Sequence, residues 1–148
     1  MRKTTFSRAL AFDFGHKRIG VAFAQSITGV AKPIDVVKNQ EGTPDFAHIQ
    51  RLIDTWQPDT FVVGLPLNMA GKPMFTTNLA KKLAALIEKQ FPLPTHLIDE
   101  RLTTKAAREA IFDQGGYKAL QTQSVDAYAA KLILESWIQA NKPDTEPR

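Results

Sequence analysis

The 148-residue chain has no cysteine, which excludes disulfides, thiolate metal sites and cysteine nucleophiles together. It has no apolar run near the roughly 18 residues that a membrane-spanning helix needs. Met1-Arg2-Lys3 has the charge of a leader segment, but Asp13 interrupts the apolar stretch behind it, so a cleavable signal is not expected. These absences point to a cytoplasmic protein with no membrane partner. No block of Lys/Arg, acidic tail, internal repeat or low-complexity tract stands out.

What is present is average for a globular chain, with 43% hydrophobic and 23% charged residues. The length suits one domain that buries about 68–70% of its unfolded surface. Two domains would have about 70 residues each, too few for comfortable self-stability. We read residues 1–140 as a single domain, and the polar 141–148, with Pro143 and Pro147, as a disordered tail. The formal charge is +4, from 19 Lys+Arg against 15 Asp+Glu. Residues 1–57 carry eight basic and five acidic residues, 58–102 five and four, and 103–148 six and six. A surplus that is mild and mostly N-terminal permits a nucleic-acid partner but does not prove one.

Ala9-Leu10-Ala11-Phe12-Asp13 alternates small and large residues, Asp13 to Lys17 supplies turn chemistry, and Arg18 to Ala24 returns, which predicts a hairpin. A weak third strand is expected at Ile34–Val37. Thr43 as N-cap and Pro44 in the first turn open a helix with a stripe of Phe46, Ile49, Ile53 and Trp56, ended by Pro58. Thr60–Leu65 is continuously apolar, as in a strand covered on both faces. After a loop over Pro66–Pro73, Phe75, Leu79, Leu83, Leu86 and Ile87 form the next helical stripe; Pro92 and Pro94 break it. Thr95–Asp99 is a short strand, and helices over Thr104–Asp113 and Ser124–Ile138 flank a Gly115-Gly116 loop. The expected fold class is α/β: a mixed sheet of about five strands, opened by an antiparallel hairpin, with helices on both faces. Ligands in such sheets gather beyond the carboxyl ends of the parallel strands.

Three carboxylates interrupt the hydrophobic pattern: Asp13 at the end of the first strand, Glu100 at the end of the last, and Asp126 beside the buried stripe of the final helix. Were they to converge, their repulsion would call for a cation, and hard oxygen ligands suit Mg²⁺ or Mn²⁺. Two such ions about 3.5–4 Å apart hold the attacking and leaving oxygens of a phosphodiester displacement. Each residue also has a plainer role: Asp13 as a turn former, Glu100 as a partner of Arg101 or a helix cap, Asp126 as a complement to the helix dipole. Asp99 faces the other side of its strand from Glu100, so at most one of them enters a shared site.

Asp13-Phe14-Gly15-His16-Lys17-Arg18-Ile19-Gly20-Val21-Ala22 resembles the opening motif of the YqgF family of bacterial nucleases. Val62–Met69, Asp99-Glu100-Arg101-Leu102-Thr103-Thr104 and Val125–Ala130 are similar to its other blocks, in order, and the likeness runs from about residue 8 to 138. The resemblance implies a ribonuclease H-like fold, a triad of Asp13, Glu100 and Asp126 binding divalent metal, and maturation of the 5′ end of pre-16S ribosomal RNA. The family's older label, Holliday junction resolvase, rests on fold-level analogy. The chain departs from the family at Ala70, where an acidic residue is usual, and in the less basic loop Tyr117–Gln123.

Around the triad, His16, Lys17 and Arg18 are candidate phosphate contacts, Arg18 foremost because its guanidinium grips phosphate bidentately; a solvated turn is the alternative. Asn68 and the Gly71 backbone could meet the nucleic-acid backbone from the loop after the central strand, or simply lead into a helix. Arg101 either braces Glu100 or touches phosphate, while Thr103 or Thr104 caps a helix. His48, His96, Trp56 and Trp137 read as structural. The leading function is a metal-dependent nuclease acting on precursor ribosomal RNA. The alternatives are cleavage of branched DNA and a non-catalytic nucleic-acid-binding factor. An actin-like ATPase needs a second phosphate loop, and a kinase a Gly-rich loop; the chain is too short for either. No oligomeric state follows from these features.

Overall fold

A computed structural model of the protein describes residues 6–15, 17–40, 42–66, 70–99 and 125–141. The elements in chain order are β1 (Arg8–Asp13), β2 (Arg18–Gln25), β3 (Ala31–Gln40), β4 (Thr43–Pro44), α1 (Phe46–Trp56), β5 (Thr60–Leu65), α2 (Phe75–Gln90), β6 (Thr95–Asp99) and α3 (Val125–Ala140). The strands form one sheet in the order β4-β3-β2-β1-β5-β6. β1–β2, β2–β3 and β3–β4 are antiparallel, whereas β5 lies parallel to both β1 and β6. The mixed sheet is therefore as expected, with six strands where the sequence suggested about five. The expected helix over Thr104–Asp113 and the tail beyond Asn141 lie outside the described residues.

The alternation in β1 sorts the two faces. Leu10 and Phe12 point to one side, with Ile19, Val21, Val37, Phe61 and Val63, against Ile49 and Leu52 of α1 and Leu83 and Ile87 of α2. Ala9 and Ala11 point to the other, with Ala22, Ala24 and Val62, against Ala130, Ile133, Leu134 and Trp137 of α3. Alanine-lined strands present a shallow surface, so a helix can settle close to the backbone there. Both faces are dry. Trp137 packs edge-on to Phe6 and tilted over His96, and Trp56 lies against Phe23, so both tryptophans are packing residues as expected.

Three local expectations are corrected. Thr43 and Pro44 do not open α1: they pair with Gln40 and Asn39 as β4, and Asp45 is the N-cap, its carboxylate accepting from the His48 N–H at 3.1 Å. Asp caps at least as well as Thr, and the fixed φ of Pro44 also suits an extended residue. In α2 the buried stripe is Thr77, Ala80, Leu83, Ala84 and Ile87, whereas Phe75 is 77% exposed and Leu86 38%. Small residues let the helix approach the sheet, and that closeness outweighs burial of the larger side chains. β3 also extends beyond the weak strand read at Ile34–Val37. It carries a bulge against Val21 and Ala22, where Pro33, lacking an N–H, is tolerated.

Candidate active site

β1, β5 and β6 run parallel, so Asp13, Leu65 and Asp99 end at the same edge of the sheet, and the loop from Pro66 to Met74 leaves from that edge too. Asp13 pairs in register with Gly20 of β2, two steps beyond the Ala11–Ala22 pair. By the period of a strand its side chain shares the α3 face with Ala11 and Ala9. It is 6% exposed, the last buried residue of β1 and the only charged one in that strand's interior.

Gly20 is what lets Asp126 reach that position. A β-carbon on Gly20 would collide with the carbonyl group of Asp126 and come within 2.7 Å of the Ala127 nitrogen. The first turn of α3 thus rests on the bare backbone of Gly20, the cross-strand partner of Asp13. Arg18 occupies the same face, two residues before Gly20, and its Nε donates to Asp126 Oδ2 at 3.3 Å. The arginine side chain is 70% exposed and the aspartate's 31%. Lys38 pairs with Arg18 across β2–β3, a cationic neighbour that sequence reasoning missed because only the register brings it there.

The other expected contacts divide. Lys17 is exposed in the β1–β2 turn, its carbonyl accepting from the Asn39 N–H at 2.9 Å. Gly71 lies in the loop after β5 with a left-handed φ of 81°, next to exposed Ala70 and Lys72. His16, Asn68, Glu100 and Arg101 lie outside the described residues. Among the described residues no group of three or more His, Asp or Glu side chains converges as a metal centre.

The loop after β5 is anchored by a residue the sequence reading passed over. Thr77 is fully buried; its hydroxyl donates to the Pro66 carbonyl and accepts from the Met74 N–H. One side chain thereby ties the start of α2 to the end of β5. Of the two histidines read as structural, His48 is paired with Asp35, Nε2 to Oδ2 at 2.7 Å. The other, His96, is half-buried against Trp137, and its Nε2 has no partner among the described residues.

A six-stranded mixed sheet with acidic residues at the carboxyl edge of its parallel strands is the plan of the ribonuclease H-like fold, and solved structures bear out that class. RuvC of T. thermophilus, in complex with a Holliday junction substrate, matches 90% of this chain and 94% of its own, with a TM-score of 0.56 at 14% identity. The fowlpox virus resolvase, solved with Holliday junction DNA, matches 90% and 97%, with a TM-score of 0.53 at 15% identity. Within that class the chain belongs to the RuvX family, described as a Holliday junction resolvase, which matches residues 7–140. Among its relatives are proteins of Histophilus somni (strain 2336) and Escherichia coli O7:K1 (strain IAI39 / ExPEC), each bearing the name "Putative pre-16S rRNA nuclease". Both are 51% identical over 130 residues, which is 88% of this chain and 92% and 94% of theirs.

Proposed function

We propose that the protein is a cytoplasmic, divalent-metal-dependent nuclease that hydrolyses phosphodiester bonds in precursor 16S ribosomal RNA at its 5′ end. Asp13, Glu100 and Asp126 form its catalytic and metal-holding set. The observation that carries this reading is the seat of the Asp126 backbone against Gly20, the residue that pairs with Asp13 across the strands. The 51% identity with proteins named as pre-16S rRNA nucleases supports the substrate.

The donor set fits a hard cation: carboxylate oxygens, one of them on a buried residue, with Arg18 already supplying positive charge to Asp126. When bound, Mg²⁺ or Mn²⁺ supplies the charge that activates water and stabilises the negative charge developing on the phosphate. The chain's own residues do the rest. Asp13 and Asp126 are held by β1 and α3, so they need little reorganisation on binding. Arg18, Lys17 and, beyond the described residues, Arg101 grip phosphates on either side of the scissile bond, and Asn68 and the Gly71 backbone meet the strand from the β5 loop. Water adds to phosphorus and gives up a proton, the bond to the leaving oxygen breaks, and that oxygen takes up a proton, so none is gained or lost overall.

A second reading, hydrolysis of branched DNA by the same residues, is favoured by the description of the family as a Holliday junction resolvase. Incubation of the protein and Mn²⁺ with precursor ribosomal RNA, four-way DNA junctions and plain duplex separates the two. Preferential RNA cleavage supports the proposal, and preferential junction cleavage replaces it with the second reading. A protein that binds RNA but cleaves nothing is the non-catalytic factor.

A further inference from the structure

The polar or charged residues buried among the described ones are Asp13, Asn39, Thr60 and Thr77. Asn39, 3% exposed, belongs to no motif. It sits at the end of β3 beside the turn that joins Asp13 to Arg18, and it holds that turn twice. Its backbone N–H donates to the Lys17 carbonyl, and its side-chain Nδ2 to the Gly15 carbonyl, both at 2.9 Å. The turn is tight: a β-carbon on Gly15 would collide with the Arg18 carbonyl oxygen.

Asn39 reaches the turn from the side away from the carboxylates. Val37 packs on the α1/α2 face and Lys38 pairs with Arg18 on the α3 face, so the next residue returns to the side of Val37. Asn39 Oδ1 is buried and has no partner among the described residues. The unpaired Oδ1 carries a desolvation cost that an apolar residue of similar volume would avoid, and the Nδ2 bond to Gly15 is what offsets it. The donor to Gly15 is the part that is used.

We propose that Asn39 is a positioning residue for nucleic-acid binding. It clamps the carbonyls of Gly15 and Lys17 so that the Lys17 and Arg18 backbones keep a fixed spacing, and the two cations meet a phosphate backbone already arranged. This rests on the phosphate-contact reading of Lys17 and Arg18 and deepens it. Preorganised charge binds with less loss of loop and side-chain freedom. The carboxylates stand on β1 and α3, which the clamp does not touch, so substrate affinity depends on Asn39 and the chemical step does not.

The test uses Asn39→Leu, which removes donor and orphan acceptor together, and Asn39→Asp, which sets an acceptor against the Gly15 carbonyl. Both keep the backbone N–H bond to Lys17. With a precursor 16S ribosomal RNA fragment and Mn²⁺, each variant raises KM about ten-fold with kcat within about two-fold. Mn²⁺ affinity without RNA stays within about two-fold, and the dependence of KM on salt becomes shallower. In a Lys17→Ala/Arg18→Ala background, Asn39→Leu adds little to KM, because both side chains it positions are gone. A KM unchanged in both variants overturns the proposal, as does a fall in kcat and Mn²⁺ affinity as large as the change in KM. Failure of the triad reading shows separately, as cleavage that survives Asp13→Asn, and leaves the KM comparison intact.

Discussion

Gly20 and Asp126 are in backbone contact: the first turn of α3 lies where a side chain on Gly20 would have to be, and Asp13 is the cross-strand partner of that glycine. The missing β-carbon sets how closely the first turn of α3 approaches β2 beside Asp13. Gly20→Ala forces the start of α3 outward by collision with backbone, which cannot rotate away. We expect destabilisation of about 1–3 kcal/mol, the usual cost of overpacking, and cleavage reduced at least ten-fold even below the new Tm. Thermal melts and single-turnover cleavage by the folded variant check both parts.

Arg18 and Asp126 form an ion pair that is largely solvent-facing on the arginine side. Its contribution to stability is therefore small, about 0–1 kcal/mol. Its consequence lies in binding, since Arg18 is a cation beside carboxylates proposed to hold another cation. Arg18→Ala leaves Tm nearly unchanged, tightens Mn²⁺ binding several-fold and weakens RNA binding, with a salt slope reduced by about one. Calorimetric titration with Mn²⁺ and RNA-binding isotherms at several salt concentrations read these effects in opposite directions.

Thr77→Val keeps the shape of a buried residue and removes the hydroxyl that joins Pro66 to Met74. The Pro66 carbonyl and Met74 N–H then lose a shared partner, at a cost of about 1–3 kcal/mol for groups left unsatisfied. Chemical denaturation measures that loss. Because the hydroxyl pins the loop carrying Gly71, hydrogen exchange in residues 66–74 speeds up more than in β1 or β5.

Phe75 and Ile133 test which helix faces form the core. Ile133→Ala, from a fully buried position on α3, costs about 2–5 kcal/mol. Phe75→Ser, from a position 77% exposed, changes stability by no more than about 0.5 kcal/mol. Urea unfolding of the two variants side by side gives the comparison.

Much of this was legible in the residues themselves. The small-large alternation of Ala9 to Phe12 marks a hairpin strand, and its period puts Asp13 on the alanine side, where α3 packs. The apolar run Thr60–Leu65 and the short Thr95–Asp99 read correctly as strands because their bounds coincide with turn chemistry and prolines. What was hidden depends on partners distant in sequence. Arg18 and Asp126 are 108 positions apart, and no local pattern pairs them. The buried face of α2 was legible only at Leu83 and Ile87, because Thr77 and Ala80 carry little hydrophobic signal, although small size is what the packing selects there. Asn39 sits in the polar run Lys38-Asn39-Gln40, which looks like any solvated strand end until the turn at Gly15 is seen against it.

The central claim is that Asp13 and Asp126 act together in metal-dependent hydrolysis. It is tested most directly by incubating precursor 16S ribosomal RNA with Mn²⁺ and either the wild-type protein, Asp13→Asn or Asp126→Asn, each verified as folded by its thermal melt. The account predicts specific 5′ cleavage by the wild-type protein and a loss of at least about 100-fold in each variant, with RNA binding retained. Cleavage by either variant at the wild-type rate would contradict it.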